Sequence, residues 1–247
     1  MSAASAVNTV DTVDTVDSVN ADVAVIIVAA GSGSRVGGTE LKQFRWVAGK
    51  PMLLHSVQAF MRRSDVGTVI VVLPQRYAGD PPPWLFECDT ARLLIAHGGK
   101  ERVDSVWNGL GDVPDEATVV LIHDAARPLA TDAMIARVID RARSGVGAIP
   151  ALPVTDTLKR VDATGRVIET VPRDGLYRAQ TPQGFPKAML MDAHRAAQRE
   201  HLVATDDAAL CERLGFPVQI VRGSEKAMKV TEEADFDRAG ALVDTPE

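Results

Sequence analysis

Short apolar segments alternate with longer amphipathic segments from Val23 to the end of the chain. This alternation is typical of βα units packed around a mainly parallel sheet. The predicted strands cover residues 23–28, 68–73, 92–96, 119–123, 147–150 and 217–221. The predicted helices cover residues 51–63, 102–110, 131–143, 187–201, 205–214 and 232–243. Pro51 at a first helical position and Gly215 just past a last turn are expected boundary signals. We therefore expect an α/β fold, with helices flanking the sheet.

Residues 157–171 interrupt the alternation, because two β-rich segments flank the turn-forming residues 162–165. This pattern predicts a β-hairpin rather than a further βα unit. A hairpin that projects from an α/β domain has edges to cover, and dimerisation commonly covers them. A hairpin packed flat on its own domain is the alternative.

The first residues repeat Val-Asp-Thr or a close variant with a period of three. This period matches neither a strand nor a helix, and the segment has no aromatic residue. We expect residues 1–21 to form a disordered, low-complexity leader, with an edge strand as the alternative. Residues 22–247 are then expected to form a single domain.

The charge balance excludes some classes of partner. The chain has 27 basic and 33 acidic residues, but its first 22 residues contain four aspartates and no base. The remainder is nearly neutral, which argues against a nucleic-acid-binding protein but not against a small phosphorylated ligand. The longest strongly apolar run, residues 23–30, is far shorter than the ~20 residues of a membrane helix. We expect neither nucleic-acid nor membrane partners.

The two cysteines, Cys88 and Cys211, lie far apart and form no CxxC motif. They indicate neither a disulfide framework nor a zinc module, and a reducing cytoplasm is the expected location.

A glycine-rich segment, residues 29–38, follows the first predicted strand directly. Glycines at this position let backbone N–H groups approach a phosphate at the edge of the sheet where α/β proteins bind ligands. The dinucleotide-binding fingerprint GxGxxG would need glycine at position 36, where this chain has Val36. The Gly-Lys-Ser/Thr sequence of a P-loop is absent. The cations Arg35 and Lys42 favour phosphoryl or nucleotidyl transfer over hydride transfer, because charge then builds on the oxygens of the reacting phosphorus. A solvated basic pair at a helix start is the alternative.

Asp124 directly follows the predicted strand 119–123 and should face the same crevice as the glycine-rich segment. Mg²⁺ prefers one or two carboxylates together with substrate phosphate oxygens, so Asp124 is a candidate ligand. A helix cap is the alternative role for this carboxylate. His123 is expected in the core or as a hydrogen-bond partner, because no second histidine lies at metal-binding spacing.

Eight motifs occur together in one order: AAGSGSR (29–35), KQF (42–44), GGKERVDSV (98–106), HDAARP (123–128), DTLK (156–159), QTPQGF (180–185), TDD (205–207) and KVT (229–231). With them, residues 23–243 strongly resemble the 2-C-methyl-D-erythritol 4-phosphate cytidylyltransferase family. The resemblance implies a Rossmann-like nucleotidyltransferase domain, a homodimer joined through a hairpin arm at about residues 155–173, and divalent-metal dependence, with Mg²⁺ or another divalent cation. It also implies CTP and methylerythritol phosphate as substrates and pyrophosphate as a product.

The resemblance further implies residue roles, position by position. Arg35 and Lys42 would stabilise the transition state. Lys229 and Arg173 would position methylerythritol phosphate with Thr157 and Arg127, and Thr157 and Arg173 would reach the active site of the partner subunit. The residues implied in CTP binding are Ala29, Ala30, Gly31, Gly33, Gly99, Ser105 and Asp124, with Asp124 also at the metal.

Three positions depart from the family pattern. Leu41 stands where proline is common, Lys100 where aspartate is frequent in the base pocket, and Pro172 where a polar residue is common. None of them removes a charged catalytic group, so activity is expected.

Three other functions are the alternatives to this one. The first is a cytidylyltransferase for another polyol phosphate such as ribitol 5-phosphate. The second is a nicotinamide-dependent reductase, which Val36 and the cationic loop disfavour, and the third is a non-catalytic CTP-binding protein.

Overall fold

The structure is a computed structural model that describes residues 21–31 and 41–245. The predicted leader, apart from its last residue, lies outside the described residues, as do Gly33 and Arg35. The strands are β1 Val23–Val28, β2 Trp46–Val47, β3 Lys50–Pro51, β4 Val66–Leu73, β5 Leu93–His97, β6 Val119–Asp124, β7 Gly147–Pro153, β8 Leu158–Val161, β9 Val167–Val171, β10 Tyr177–Ala179, β11 Gln183–Pro186 and β12 Val218–Arg222. The α-helices are α1 Met52–Met61, α2 Gln75–Ala78, α3 Arg102–Leu110, α4 Asp132–Arg143, α5 Lys187–Glu200, α6 Asp207–Arg213 and α7 Glu233–Leu242.

The main sheet has the strand order β10-β7-β11-β6-β1-β4-β5, with β12 also paired to β7, so β1 is an interior strand between β6 and β4. Strands β6, β1, β4 and β5 run parallel, and β12 runs parallel to β7. The chain moves from β1 to β4 and β5 on one side, then crosses to β6 on the other. Open α/β sheets bind ligands at such a switch point, beyond the carboxyl ends of the strands. Here that point lies between the ends of β1 and β6, where Val28 is in register with Asp124.

Alternate side chains of β1 enter two different cores. Val23, Val25 and Ile27 pack with α1 and α4 on one face, whereas Ala24 and Ile26 pack with α3, α5 and α6 on the other. A strand buried on both faces must be apolar throughout, which is why its bounds were predictable. The predicted α/β fold with a mainly parallel sheet and flanking helices is confirmed.

Several details differ from the sequence-based expectations. Helix α1 begins at Met52, because Pro51 belongs to β3 and has extended backbone. Asp22, counted above with the leader charges, is part of the fold: it pairs with Arg143 and accepts a hydrogen bond from Thr118 Oγ1 at 2.5 Å. Gly215 has φ +75° just after α6, as its predicted role requires.

Strand β11 was not predicted, because Gln-Gly-Phe-Pro lacks the residues typical of strands. It runs antiparallel between β6 and β7. Its Gly184 permits close packing, since a Cβ there would lie 2.5 Å from Val138 Cγ1 of α4 and 2.8 Å from Leu121 Cδ2.

The predicted hairpin is confirmed as β8 and β9, which pair with each other in a sheet separate from the main one. Val161, Val167 and Ile168 are each more than half exposed on this arm.

Both Cys88 and Cys211 are free thiols. No helix in the described ranges is long and apolar enough to cross a membrane.

Candidate active site

A cavity of about 340 Å³ opens at the switch point between β1 and β6. Its walls come from the segment after β1, the turn before α3, the end of β6 and the segment before α7. The lining residues are Val28, Ala29, Ala30, Gly31, Lys42, Gln43, Gly99, Lys100, Glu101, Arg102, Ser105, Asp124, Ala125, Ala126 and Lys229. The fold thus brings together the predicted residues Ala29, Ala30, Gly31, Lys42, Gly99, Ser105, Asp124 and Lys229.

Gln43 fixes the start of the glycine-rich segment. Its Nε2 atom donates to the carbonyl oxygen of Ala29 at 2.5 Å and to that of Gly31 at 3.2 Å. With these two carbonyls engaged, residues 29–31 are held against the wall of the cavity. The sequence indicated Gln43 only as part of a motif and gave it no role.

Lys42 reaches across the cavity to the segment that carries Lys229. Its Nζ atom donates to the carbonyl oxygen of Val230 at 2.7 Å, and Val230 N donates to the carbonyl oxygen of Ala126 at 2.8 Å. Two predicted site lysines are therefore linked through the backbone of one short segment, although 187 positions separate them in the sequence.

Asp124 ends β6 and lies between two cations. Lys229 Nζ is 2.7 Å from Asp124 Oδ2, and Arg102 Nε is 3.7 Å from Oδ1. Burial alone would raise the pKa of Asp124, but Arg102 and then Lys229 outweigh it and lower this pKa to about 2. Asp124 is consequently a carboxylate at any physiological pH.

The wall before α3 depends on the absence of side chains. A Cβ on Gly98 would lie 2.3 Å from Ala30 Cβ, and one on Gly99 would lie 2.2 Å from Asp104 Cβ. Ser105 holds the turn: its hydroxyl accepts from Gly99 N at 3.1 Å and donates to the carbonyl oxygen of Glu101, also at 3.1 Å. Ordinary side chains would push the turn away from the glycine-rich segment.

His123 and Thr181 form a hydrogen-bonded chain that reaches the backbone N–H of Asp124. Asp124 N donates to Thr181 Oγ1 at 3.0 Å, Thr181 Oγ1 lies 3.1 Å from His123 Nδ1, and His123 Nε2 donates to the carbonyl oxygen of Arg127 at 3.0 Å. Burial lowers the pKa of His123 to about 4, so the imidazole is neutral at pH 7. This agrees with the expected core position of His123. The role of Thr181 was not predicted.

Three residues with predicted positioning roles lie outside the cavity wall. Arg127 donates to the carbonyl oxygens of Ala227 at 2.8 Å and Ala179 at 3.2 Å, so in this chain it ties the segment before Lys229 to β10. Thr157 is exposed just before β8. Arg173 is exposed just after β9, where it donates to the carbonyl oxygen of Thr155.

The described residues contain no cluster of three or more His, Cys, Asp or Glu side chains that would hold a metal by themselves. A nucleotide-borne Mg²⁺ needs only one or two carboxylates, because substrate oxygens and waters complete its shell. Asp124, ionised and facing the cavity, fits this requirement.

Comparisons with known proteins all indicate one family. The family model described as "IspD: 2-C-methyl-D-erythritol 4-phosphate cytidylyltransferase" matches residues 23–245. A protein of that name from Frankia casuarinae is 45% identical over 230 residues, which cover 90% of this chain and 81% of the relative. Another from Salinibacter ruber is 43% identical, with 89% and 92% coverage.

Solved structures give the same result. The crystal structure of 2-C-methyl-D-erythritol 4-phosphate cytidylyltransferase from Thermus thermophilus matches with a TM-score of 0.75 and 37% identity, over 90% of this chain and 98% of that one. The Francisella tularensis enzyme of the same name matches with a TM-score of 0.77 and 26% identity, over 90% and 100% of the two chains. This chain belongs to the 2-C-methyl-D-erythritol 4-phosphate cytidylyltransferase family.

Proposed function

We propose that this protein transfers CMP from CTP to 2-C-methyl-D-erythritol 4-phosphate, with release of pyrophosphate. The observation that carries this proposal is the convergence of Lys42, Lys229 and Arg102 on the cavity at the switch point, where Lys229 and Arg102 flank the ionised Asp124, in a chain of this family. The products are 4-diphosphocytidyl-methylerythritol and pyrophosphate.

The attacking atom is a phosphate oxygen of the acceptor. The second pKa of a phosphate monoester is about 6, so this group is largely a dianion at pH 7 and needs no general base. The nearby His123 is buried and already hydrogen-bonded through both ring nitrogens, which agrees with a mechanism without one. The main barrier is the approach of one anion to another, which preorganised cations lower.

The cations divide between the two substrates. Lys42, with Arg35 from the glycine-rich segment, stabilises the charge that develops at the α-phosphorus of CTP. Lys229 and Arg173 hold the phosphate of the acceptor, assisted by Thr157 and Arg127. Ala29, Ala30, Gly31, Gly33, Gly99 and Ser105 hold the nucleotide. Asp124 would hold Mg²⁺ or another divalent cation, which would supply neutralisation of phosphate charge when bound.

We further propose a homodimer joined through the β8–β9 arm. The exposed apolar side chains Val161, Val167 and Ile168 support this interface, as does the separation of the arm from the main sheet. Arg173 and Thr157, at the base of the arm, then serve the partner's cavity. The free thiols of Cys88 and Cys211 agree with a cytoplasmic location.

The activity is tested by pyrophosphate release from CTP and Mg²⁺, with methylerythritol phosphate and ribitol 5-phosphate offered in parallel. We expect release only with methylerythritol phosphate. Release with ribitol 5-phosphate alone would assign a different acceptor, and CTP binding without release would indicate a non-catalytic protein.

Shared sites are tested by mixing two impaired variants, Lys42→Ala and Arg173→Ala, under conditions that exchange subunits, and assaying at a methylerythritol phosphate concentration well below the KM of Arg173→Ala. If Arg173 acts in the partner's cavity, each mixed dimer has one site with both residues intact, and activity rises above that of either variant alone. If Arg173 acts within its own subunit, every site keeps one defect and the mixture shows no such rise.

A further inference from the structure

Arg102 has an unusual place for a cation. It is the first residue of α3, where the aligned peptide dipoles give the helix end a partial positive charge that disfavours a cation. Its side chain nevertheless lines the cavity and is less than a quarter exposed. Helix stability therefore does not account for an arginine at this position.

A buried pair from two other helices holds the guanidinium. Arg102 Nη1 lies 2.7 Å from Asp207 Oδ2 of α6, and His194 Nε2 of α5 donates to Asp207 Oδ1 at 2.9 Å. The side chains of Asp207 and His194 are both fully buried. Gln183 Oε1 accepts from Asp207 N at 3.2 Å, which fixes the backbone as well.

A contribution to the stability of the fold does not explain why a buried ion pair is found here. Removing two charges from water carries a desolvation penalty that often equals their attraction, and apolar side chains of similar volume would fill the same space. His194 Nδ1 also has no hydrogen-bond partner in the described part of the chain, so Asp207 is the polar group that orients this ring. The cluster places one guanidinium at a defined point.

That point is beside Asp124. Arg102 Nε lies 3.7 Å from Asp124 Oδ1, while Lys229 Nζ holds the other oxygen at 2.7 Å. The two cations are held differently. The buried carboxylate of Asp207 binds Arg102, whereas the Lys229 side chain is 43% exposed. Lys229 can therefore move away from Asp124 more easily than Arg102 can.

We propose that the buried Asp207–His194 pair is a positioning device for Arg102, which stays beside Asp124 while Lys229 leaves Asp124 for the acceptor phosphate. This inference rests on the proposed function, because it uses the assignment of Lys229 to the acceptor. Without a fixed Arg102, the departure of Lys229 would leave no side-chain cation of the protein beside Asp124, a largely buried carboxylate. Asp207 and His194 thus act through Arg102, and Arg102 acts through Asp124, as positioning residues.

The test compares Asp207→Asn with Asp192→Asn. Asp192 lies on α5, as His194 does, but it is exposed and pairs with Arg195 at 3.2 Å, away from Arg102. We expect Asp207→Asn to lower kcat/KM for CTP by at least about tenfold and to weaken CTP binding in calorimetry by a similar factor, with Asp192→Asn within about threefold of wild type. A folded Asp207→Asn protein with wild-type constants would overturn the proposal, as would an equal loss in both variants.

Two further variants keep the test valid if Asp207→Asn fails to fold. His194→Gln retains an N–H donor for Asp207 and should rescue most of the CTP affinity that His194→Leu loses. Arg102→Lys keeps the charge at the cavity wall but cannot span two carboxylates, so it should resemble Asp207→Asn. Wild-type CTP affinity in both His194→Leu and Arg102→Lys would refute the positioning role.

Failure of the proposed function has a separate signature. Wild-type protein that releases no pyrophosphate with CTP and methylerythritol phosphate would refute that function. The CTP-binding comparison between Asp207→Asn and Asp192→Asn needs no turnover, so it still decides whether the buried pair positions the nucleotide site.

Discussion

Replacing Lys42 with alanine removes an ammonium group from the cavity wall and leaves the hydrophobic core intact. The hydrogen bond from Lys42 Nζ to the carbonyl oxygen of Val230 contributes about 1 kcal/mol to folding, which corresponds to a loss of roughly 2–4 °C in Tm for a chain of this size. A preorganised donor that meets charge developing in the transition state contributes about 3 kcal/mol to the barrier. We therefore expect kcat to fall by at least ~10²-fold while the protein stays folded.

The assay is pyrophosphate release at saturating CTP and methylerythritol phosphate, with Tm measured on the same samples. Lys50→Ala is the matched control, because Lys50 lies in the same part of the chain, binds Gln58 and does not line the cavity. Turnover of Lys42→Ala within about fivefold of wild type, a difference of only about 1 kcal/mol, would remove Lys42 from the mechanism. A similar loss in Lys50→Ala would show that the effect is not specific to the site.

Further predictions concern the acceptor, the nucleotide and acid stability. Lys229→Ala and Arg173→Ala should each raise KM for methylerythritol phosphate by roughly tenfold or more in initial-rate assays, and an equal rise in KM for CTP would contradict the positioning role. Gly99→Ala should raise KM for CTP, because the new Cβ would lie 2.2 Å from Asp104 Cβ and displace the turn; an unchanged KM would contradict this. The pKa of Asp124 is lowered to about 2, so its roughly 2 kcal/mol of stability is complete above about pH 4 and is lost as pH falls through 2. The Tm difference between wild type and Asp124→Asn should narrow over that range, and a constant difference would refute the assignment.

The buried strands were predictable from the sequence, β1 with its bounds and the end of β6 to within one residue. Strand β1 is buried on both faces, so it lies within the apolar run of residues 23–30 and begins at the same residue, Val23. Asp124 was predicted at the crevice because a carboxylate after a buried parallel strand emerges at the ligand-binding edge. The structure places it there, in register with Val28. The local sequence pattern was enough to predict a residue's place wherever a single strand determined it.

The positioning network was not predictable, because it depends on contacts between distant elements. Arg102 and Asp207 meet only after α3 and α6 pack on the same face of the sheet. Neither residue type nor spacing indicates that contact in advance. Strand β11 was not predicted for a related reason: the small size of Gly184 matters only because Val138 of the distant helix α4 packs against it.

Charge at the cavity follows from the fold and not from the net charge of −6. Four cations and two carboxylates line the cavity: Lys42, Lys100, Arg102, Lys229, Glu101 and Asp124. Charges on the remote surface are screened beyond about 8 Å at physiological ionic strength, whereas charges about 4 Å apart at an effective dielectric of 20 interact by about 4 kcal/mol. The groups within contact distance of the phosphates therefore dominate the potential that a substrate meets. An acidic chain can bind two anionic substrates because three segments, distant in the sequence, place their cations at one point of the sheet.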